Sequence, residues 1–141
     1  MKIYRVEEFS ERLMEAFTKL LPQLSQSADV PTAKYVEDML SNEDAHLIVA
    51  EEDSAIVGML TLVVVNIPTG RKAWIEDVVV DSECRGLNIG FSLVEKAKEL
   101  ATSLGVKKLY LTSNPSRKAA HALYAKCGFE EYKTTVFRVK I

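Results

Sequence analysis

Apolar residues recur along this chain with two periods, which predict an alternation of strands and helices. Runs rich in apolar and β-branched residues predict six strands, over residues 2–6, 46–51, 56–65, 73–80, 107–112 and 129–139. Apolar residues spaced three and four apart predict four helices, over residues 7–24, 32–40, about 90–104 and 116–126. Antiparallel strands followed by β-α-β units favour an α/β fold, with a mixed, mostly antiparallel central sheet and helices on both faces. At this length we expect one domain over residues 1–141.

A short turn joins the fourth predicted strand to the third predicted helix. Its sequence is Arg85-Gly86-Leu87-Asn88-Ile89-Gly90, and it follows the run Val78-Val79-Val80. In this arrangement, a tight turn after a strand leads directly into a helix. Unpaired backbone N–H groups and the positive end of the helix dipole would then point to one place, which suits a phosphate or pyrophosphate. The turn is neither a Walker loop nor a dinucleotide fingerprint, because no Gly-Lys-Ser/Thr follows it and GxGxxG is absent.

A second motif lies near the end of the chain, where a helix carrying Leu123-Tyr124 leads into Lys126-Cys127-Gly128-Phe129. Together and in this order, the two motifs resemble those of the GNAT N-acetyltransferase superfamily. The turn is similar to the family's Arg/Gln-x-x-Gly-x-Gly/Ala signature for acyl-CoA, with Arg85 first and Gly90 last. Asn88 stands where the family usually has glycine, and asparagine is the other residue that best tolerates a left-handed backbone.

The resemblance covers essentially the whole chain and implies an acetyltransferase of the GNAT fold. Such an enzyme moves the acetyl group of acetyl-CoA to a primary amine of a small molecule or peptide, by direct attack in a ternary complex and without a metal. A rival interpretation is a non-catalytic acyl-CoA-binding or regulatory module of the same fold. A third, a nucleotide-binding domain, is weakened by the missing Lys-Ser/Thr and the missing acidic metal ligands.

The resemblance also implies which residues bind acetyl-CoA. Backbone amides of the turn and of the next residue would hold the pyrophosphate: Arg85, Gly86, Leu87, Asn88, Ile89, Gly90 and Phe91. The backbone of Val78, Val79 and Val80 would pair with the pantetheine arm as a further strand would, and one N–H group could polarise the thioester carbonyl.

Two side chains before the last helix are further candidates for contact with the cofactor. Asn114 follows the fifth strand, where family members often use a side-chain amide. Arg117 stands where the commonest family asparagine lies, and it could reach the cofactor's phosphates or instead pair with Glu130 or Glu131. We expect Ser116 to cap the last helix.

Tyr124 is the candidate general acid, because it matches the tyrosine of the family's later motif. Its alternative role is packing on the helix face with Ala120 and Cys127, and in some relatives the tyrosine only orients the cofactor. Cys127 could suggest an acyl-cysteine route, but a buried cysteine acting as a small hydrophobe is the preferred interpretation. Lone histidines such as His121 and His46 are interpreted as structural.

Glu76 is the candidate general base, provided that burial raises its pKa. Strand alternation predicts that it shares a face with Trp74, Val78 and Val80, while Asp77 lies on the opposite face. The local sequence Ile-Glu-Asp-Val-Val-Val resembles that of glucosamine-6-phosphate N-acetyltransferases, in which the equivalent carboxylate faces the substrate. Several GNAT enzymes place their glutamate two residues earlier, where this chain has Trp74. The alternative is a carboxylate paired with Arg or Lys for structural reasons.

Composition narrows the partners and the cellular compartment of the protein but does not identify the acceptor amine. A net charge of −2 with both signs scattered makes nucleic acid an improbable partner, and neither a signal peptide nor an apolar run of membrane length is present. Two cysteines without metal spacing fit a reducing cytoplasmic compartment. The sequence leaves a homodimer open. We expect the first two predicted helices and the turn at residues 67–71 to determine the acceptor, because the resemblance implies that these are the variable parts of the fold. Acidic residues in those regions loosely favour a cationic amine, although solubility explains them equally well: Glu37, Asp38, Glu43 and Asp44.

Overall fold

The structure, a computed structural model, describes residues 1–84 and 86–141. Within these residues five strands form one sheet in the order β1-β2-β3-β4-β5. Their bounds are Lys2–Arg5, Ala45–Glu52, Ala55–Ile67, Gly70–Val80 and Lys108–Leu111. Neighbouring strands from β1 to β4 run antiparallel, and β5 runs parallel to β4. The predicted mixed, mostly antiparallel sheet is confirmed.

Helices pack on both faces of this sheet, as predicted. Their bounds are α1 Glu11–Leu24, α2 Ala33–Leu40, α3 Ile89–Ser103 and α4 Lys118–Lys126. Helices α1 and α2 share one core cluster with residues of β2, β3 and β4, and helices α3 and α4 share another on the opposite face. Helix α1 begins later than its periodicity predicts, because the Ser10 side chain accepts a hydrogen bond from the Leu13 amide at 3.2 Å and caps the helix there. None of the helices described is both long and apolar enough to cross a membrane.

A tight hairpin turn, Asp53-Ser54, connects β2 to β3. Asp53 and Ser54 both have positive φ, at 48° and 66°, which is the backbone of the two-residue turn that suits the twist of an antiparallel hairpin. The register runs from Ala45 paired with Val63 to Glu52 paired with Ala55. This long hairpin supplies the centre of the sheet, on which both helical layers rest.

A β-bulge in the middle of β4 contradicts the predicted alternation. Asp77 has φ 53°, and the register against β3 shifts between Met59 and Thr61. Because a bulge adds one residue to one strand, the side chains after it change faces. Val78 and Val80 therefore pack toward α3. Glu76, which is paired with Thr61 of β3, lies on the opposite face of the sheet together with Trp74. The prediction that Glu76 shares a face with Val78 and Val80 is wrong.

Pairing between β4 and β5 is short. The parallel ladder runs from Lys72 with Lys108 to Ile75 with Leu111 and ends there. Residues 76–80 of β4 still pair with β3, but no described strand lies along their other edge. The two strands thus separate immediately before the bulge.

The predicted final strand over residues 129–139 is not formed in the single chain. After α4 the Phe129 amide donates to the Tyr124 carbonyl at 3.0 Å, and every residue from 130 to 141 is exposed and without regular structure. A strand needs a neighbour to satisfy its N–H and C=O groups, and the described chain supplies none here. The composition that favours a strand is present, but its pairing partner is missing.

Candidate active site

A groove of about 670 Å³ opens where β4 separates from β5. Its walls come from the end of β4, the start of α3 and one side of α4, including Val78, Val80, Asn88, Leu123 and Tyr124. The two sequence motifs, which lie far apart along the chain, therefore line one site. Phe91 and Gly90 belong to the same lining.

The start of α3 has the backbone geometry that the sequence predicts. Asn88 lies in the left-handed region at φ 59°, ψ 24°, and its side chain makes no capping hydrogen bond to the helix. The first turn of α3 thus presents N–H groups to the groove without a side-chain cap from Asn88, as an anion site at a helix N-terminus requires. Arg85 lies outside the described residues, so its predicted role stays a prediction.

Gly90 allows close packing between α3 and α4 in the lining of this groove. A Cβ atom at position 90 would lie 3.0 Å from the Leu123 Cδ2 atom of α4. A larger side chain would therefore have to displace the Leu123 side chain. Gly90 thus keeps the start of α3 close to α4, as well as permitting the backbone approach that the motif predicts.

A buried carboxylate anchors the segment that leads into the turn. Asp81 is 1% exposed and accepts a hydrogen bond from the Lys19 Nζ atom of α1 at 2.8 Å and one from the Glu83 amide at 3.1 Å. Gln23 of α1 accepts from the Ser82 amide at 2.8 Å. The hydrogen bond from Lys19 is the main cause that lowers the pKa of Asp81 below its ordinary value. Asp81 therefore ties helix α1 to the turn that begins the groove.

Tyr124 lies in the groove lining and is only 8% exposed. Its ring packs edge-on against Phe129, with centroids 6.1 Å apart. Burial raises the pKa of the Tyr124 phenol above its ordinary value, so the group is protonated at neutral pH. Cys127 is buried in the same core cluster as Tyr124 and is not part of the groove lining, and burial raises the pKa of its thiol. A protonated, buried thiol favours the interpretation of Cys127 as a small hydrophobe.

Three cationic side chains of α4 and its entry line the groove: Arg117, Lys118 and Lys126. The Lys126 Nζ atom also lies 4.8 Å from the centroid of the Phe91 ring. Because Arg and Lys recognise phosphate oxygens, this wall suits a phosphorylated ligand. Arg117 was predicted from the sequence, whereas Lys118 and Lys126 were missed, although they lie within the second motif.

The geometry before α4 differs from the prediction. Ser116 does not cap the helix, because α4 begins at Lys118 and Arg117 is therefore the N-cap residue, without a side-chain capping bond. The Ser116 hydroxyl donates to the Asn114 Oδ1 atom at 2.8 Å. The same oxygen accepts from the Ser116 amide at 2.9 Å. Asn114 is not part of the groove lining. Because its Oδ1 atom already accepts two hydrogen bonds from Ser116, only its side-chain NH₂ group is available to contact a cofactor. That contact stays a prediction.

Glu76 lies on the other face of the sheet, and the residue as a whole is exposed. Its carboxyl group is nevertheless partly desolvated, and this desolvation, followed by the nearby charge of Asp77, raises the pKa of Glu76 above its ordinary value. No Lys or Arg among the described residues lies within ion-pair distance of Glu76, which argues against the purely structural pair that the sequence left open. An unpaired carboxylate with a raised pKa is suited to accept a proton.

An aromatic cluster beside Glu76 was missed by sequence reasoning. The rings of Trp74 and Tyr110 stack with centroids 5.0 Å apart, and Tyr132 meets Tyr110 edge-on at 5.9 Å. The Lys72 Nζ atom lies 5.8 Å from the Trp74 centroid and 5.4 Å from that of Tyr110. The available signal was Trp74, which strand alternation places on the same face as Glu76.

Comparisons with known proteins identify the family. A family model described as "Acetyltransferase (GNAT) family" matches residues 6–129. The chain belongs to the GNAT acetyltransferases. It is 31% identical over 136 residues to glucosamine 6-phosphate N-acetyltransferase of Arabidopsis thaliana, covering 90% of this chain and 88% of the relative. It is 35% identical over 108 residues to streptothricin acetyltransferase of Escherichia coli, covering 76% of this chain and 60% of the relative.

A solved structure agrees with these sequence matches. The crystal structure of glucosamine-6-phosphate N-acetyltransferase from Arabidopsis thaliana superposes with a TM-score of 0.82 at 25% identity, covering 99% of both chains. The predicted family, fold and enzyme class are therefore confirmed, and this protein is an acetyltransferase. GNAT acetyltransferases use acetyl-CoA as their co-substrate. In this GNAT chain residues 88–91 of the turn motif line one groove together with Leu123 and Tyr124 of the later motif, while Glu76 lies across the sheet.

Proposed function

We propose that this GNAT acetyltransferase transfers the acetyl group of acetyl-CoA to a primary amine of a small molecule, by direct attack in a ternary complex. The observation that carries the proposal is the separation of β4 from β5 after Ile75 and Leu111. The separation leaves an unpaired strand edge at residues 76–80 beside a groove that holds a protonated phenol. Such an edge can pair with an extended, amide-containing ligand as a further strand would.

Each part of acetyl-CoA has a suitable counterpart in the groove. The start of α3, from Asn88 to Phe91, offers N–H groups and the positive end of a helix dipole to the pyrophosphate. Arg117, Lys118 and Lys126 offer positive charge to the phosphates. The open edge of Val78, Val79 and Val80 offers backbone groups to the pantetheine arm, and one N–H group there can polarise the thioester carbonyl.

The two candidate proton-transfer groups lie on opposite faces of the sheet. Tyr124 belongs to the core cluster on the α3 side, and Glu76 points to the other side with Trp74. A thioester held in the gap between β4 and β5 can therefore be approached by an amine from the Glu76 side, while its sulfur faces Tyr124.

The chemistry then needs two proton transfers. The amine nitrogen bonds to the carbonyl carbon, and Glu76 accepts the proton that this nitrogen loses, directly or through water. As the carbon–sulfur bond breaks, Tyr124 donates its phenolic proton to the departing sulfur. An unperturbed phenol has a pKa of about 10, above that of a thiol at about 8.5, so the donor is protonated at neutral pH and water can restore its proton afterwards.

The acceptor surface that we propose is the sheet face beside Glu76. Trp74 and Tyr110 offer stacked aromatic rings that suit the apolar side of a ring-containing amine, and Glu76 offers a charge that attracts its ammonium form. The relatives named for glucosamine 6-phosphate and streptothricin make an amine of small-molecule size the first choice. Cys84 and Cys127 are both free thiols, which fits the cytoplasmic location that we expect.

The test is release of the CoA thiol from acetyl-CoA in the presence of a panel of amines. The panel includes glucosamine 6-phosphate, an aminoglycoside and streptothricin, with glucose 6-phosphate as a matched control that lacks the amine. We expect release that depends on one of the amines, together with a product that is heavier by one acetyl group in mass spectrometry. If acetyl-CoA binds but none of the small amines accelerates its cleavage over the control, the proposed acceptor class is wrong.

A further inference from the structure

A buried carboxylate that the proposed chemistry does not use lies just after β4. Asp81 is buried, and removing a carboxylate from water is costly unless charged and hydrogen-bonding partners surround it. The residue directly precedes the short 3₁₀ helix Ser82–Cys84, which leads into the turn before α3. An apolar residue would avoid the cost of burial, but it could not make the polar contacts that Asp81 makes.

Two side chains of α1, one helical turn apart, hold residues 81–83 in place. The Lys19 Nζ atom donates to the Asp81 Oδ2 atom at 2.8 Å. The Gln23 side chain accepts from the Ser82 amide at 2.8 Å and donates to the Asp81 Oδ1 atom at 3.4 Å. Residues four apart lie on the same side of a helix, so α1 presents both groups to one segment. Because the apolar side of α1 is buried against the sheet, the helix is a firm support.

Asp81 also fixes the backbone of the segment from within. Its Oδ1 atom accepts a hydrogen bond from the Glu83 amide at 3.1 Å, which is how an aspartate commonly stabilises a turn. The Asp81 carbonyl accepts from the Cys84 amide at 2.9 Å, and the Asp81 amide donates to the Val57 carbonyl of β3 at 2.8 Å. Asp81 therefore joins the sheet, helix α1 and the residues that enter the turn at one point.

The turn that follows has little support of its own. Leu87 is 57% exposed, and the Asn88 side chain makes no capping hydrogen bond to α3. A binding site keeps its productive geometry only when neighbouring groups hold its residues in place. We therefore expect the direction of the backbone N–H groups at residues 86–91 to depend on the segment 81–84 before them.

We propose that Asp81 and Lys19 are positioning residues for the cofactor, because their ion pair holds the turn at residues 86–90 in the conformation that binds the pyrophosphate of acetyl-CoA. Neither residue lines the groove, so the pair acts through the turn and not by contact with the ligand. The inference rests on the proposed function, which assigns this groove to acetyl-CoA. It predicts a loss of affinity that is confined to the pyrophosphate part of the cofactor.

Calorimetry of acetyl-CoA binding to the full-length protein is the first test. Asp81→Asn keeps the size of the side chain and an oxygen for the Glu83 amide, but it removes the charge that Lys19 contacts. The Lys19 side chain is 55% exposed and keeps water and Glu83, at 3.9 Å, as partners, so this variant should fold. We expect Kd for acetyl-CoA to rise roughly tenfold in Asp81→Asn and in Lys19→Met. Lys19→Arg retains a cation on α1 and should preserve most of the affinity.

A truncated ligand separates positioning of the turn from general damage to the groove. S-acetylpantetheine carries the thioester and the pantetheine arm but has no pyrophosphate, and an NMR titration follows its binding. We expect Asp81→Asn to bind S-acetylpantetheine as the wild-type protein does, because the turn contacts only the pyrophosphate. An equal loss of affinity for both ligands would mean that the whole groove is distorted and would overturn the positioning role.

Glu51→Gln is the matched control, since Glu51 also forms an ion pair with a cation of α1. The Arg12 Nη2 atom lies 2.6 Å from the Glu51 carboxylate at the other end of the helix, so we expect unchanged affinity for acetyl-CoA. Wild-type affinity in Asp81→Asn, or an equal loss in Glu51→Gln, would overturn the inference and leave the proposed function intact. A wild-type protein that does not bind acetyl-CoA would overturn both.

Discussion

The two halves of β4 differ in what lies along their outer edge. Residues 72–75 pair with β5 in a regular parallel ladder, and their exposed face carries the stacked rings of Trp74 and Tyr110. Residues 76–80 have β3 on one side and the groove on the other. One strand therefore has a half that is paired with β5, residues 72–75, and a half whose outer edge is unpaired, residues 76–80. We call residues 76–80 the open half of β4.

The bulge at Asp77 lies close to the junction between these two halves. It lies one residue after Glu76 and reverses the faces of the side chains that follow. Glu76 precedes the bulge and lies on the same face as Trp74. Val78 and Val80 follow the bulge, pack toward α3 and line the groove. A single inserted residue lets one strand carry a candidate base on one side and a cofactor wall on the other.

The largest effect that we expect comes from removing the phenol beside the open half. Tyr124→Phe keeps the packing of the ring against Phe129 but removes the proton donor, so kcat should fall roughly 10²-fold. Affinity for acetyl-CoA, measured by calorimetry, should stay within a few-fold because the hydroxyl acts mainly when the carbon–sulfur bond breaks. Full turnover in the Phe variant would contradict the role of Tyr124.

A control with the same chemical change is available far from the groove. The Tyr4 hydroxyl on β1 donates to Glu51 at 2.9 Å, so Tyr4→Phe also removes one phenolic hydroxyl. We expect kcat to be unchanged in this variant. A similar loss of turnover in both variants would indicate a general structural effect and not acid catalysis.

Glu76→Gln should produce the next largest effect, a loss of roughly tenfold or more in kcat/KM. The raised pKa of Glu76 means that the wild-type carboxyl gains a proton, and loses its function as a base, at a pH above its ordinary range. Activity should therefore fall as pH decreases through that raised pKa, and this part of the pH profile should disappear in the Gln variant. An unchanged profile in Glu76→Gln would exclude Glu76 as the base.

Asp77→Asn sharpens the same test. The charge of Asp77 is one cause of the raised pKa of Glu76, although desolvation is the larger. Removing that charge should lower the pKa of Glu76, so the acidic fall in kcat/KM should move to lower pH while the plateau changes little. A shift to higher pH would refute this electrostatic explanation.

The smallest effects should come from Asn88, at the entrance to the open half. Because Asn88 already has φ 59°, Asn88→Gly should change the free energy of unfolding by only a few tenths of a kcal/mol and should preserve binding of acetyl-CoA. Asn88→Val should cost about 1–2 kcal/mol, since a β-branched residue is strained there. Thermal unfolding and calorimetry of the pair test this; equal stability of the two variants would contradict the assigned conformation.

Local rules predicted much of this molecule. Periodicity gave the helices and the central strands, and the left-handed tolerance of asparagine predicted the backbone of Asn88. The bulge was not predictable in this way, because the sequence around Asp77 reads as a regular strand and its kink depends on the register with β3. That single event misplaced Glu76 relative to Val78 and Val80. The strand predicted after Phe129 is wrong for a different reason. Its sequence pattern is that of a strand, but no neighbouring strand pairs with it within the described chain.

The candidate site was predictable where it depends on motifs and not where it depends on side-chain geometry. The turn and Tyr124 were found by resemblance, and they line one groove. The capping role expected for Ser116 is wrong because α4 begins two residues later than predicted, which makes Arg117 the N-cap residue. The ion pair of Asp81 with Lys19 and the stacking of Trp74 on Tyr110 join residues that are distant in sequence. No local sequence pattern predicts such contacts.

The central claim is that the open half of β4 binds the cofactor as a strand would, and amide exchange of β4 tests it most directly. NMR measures the exchange of each backbone amide in the free protein and in the complex saturated with acetyl-CoA. We predict slower exchange for at least one amide within residues 78–80, and unchanged exchange for residues 72–75, whose outer edge is already paired with β5. A saturated complex in which the exchange of residues 78–80 is unaltered would contradict the account.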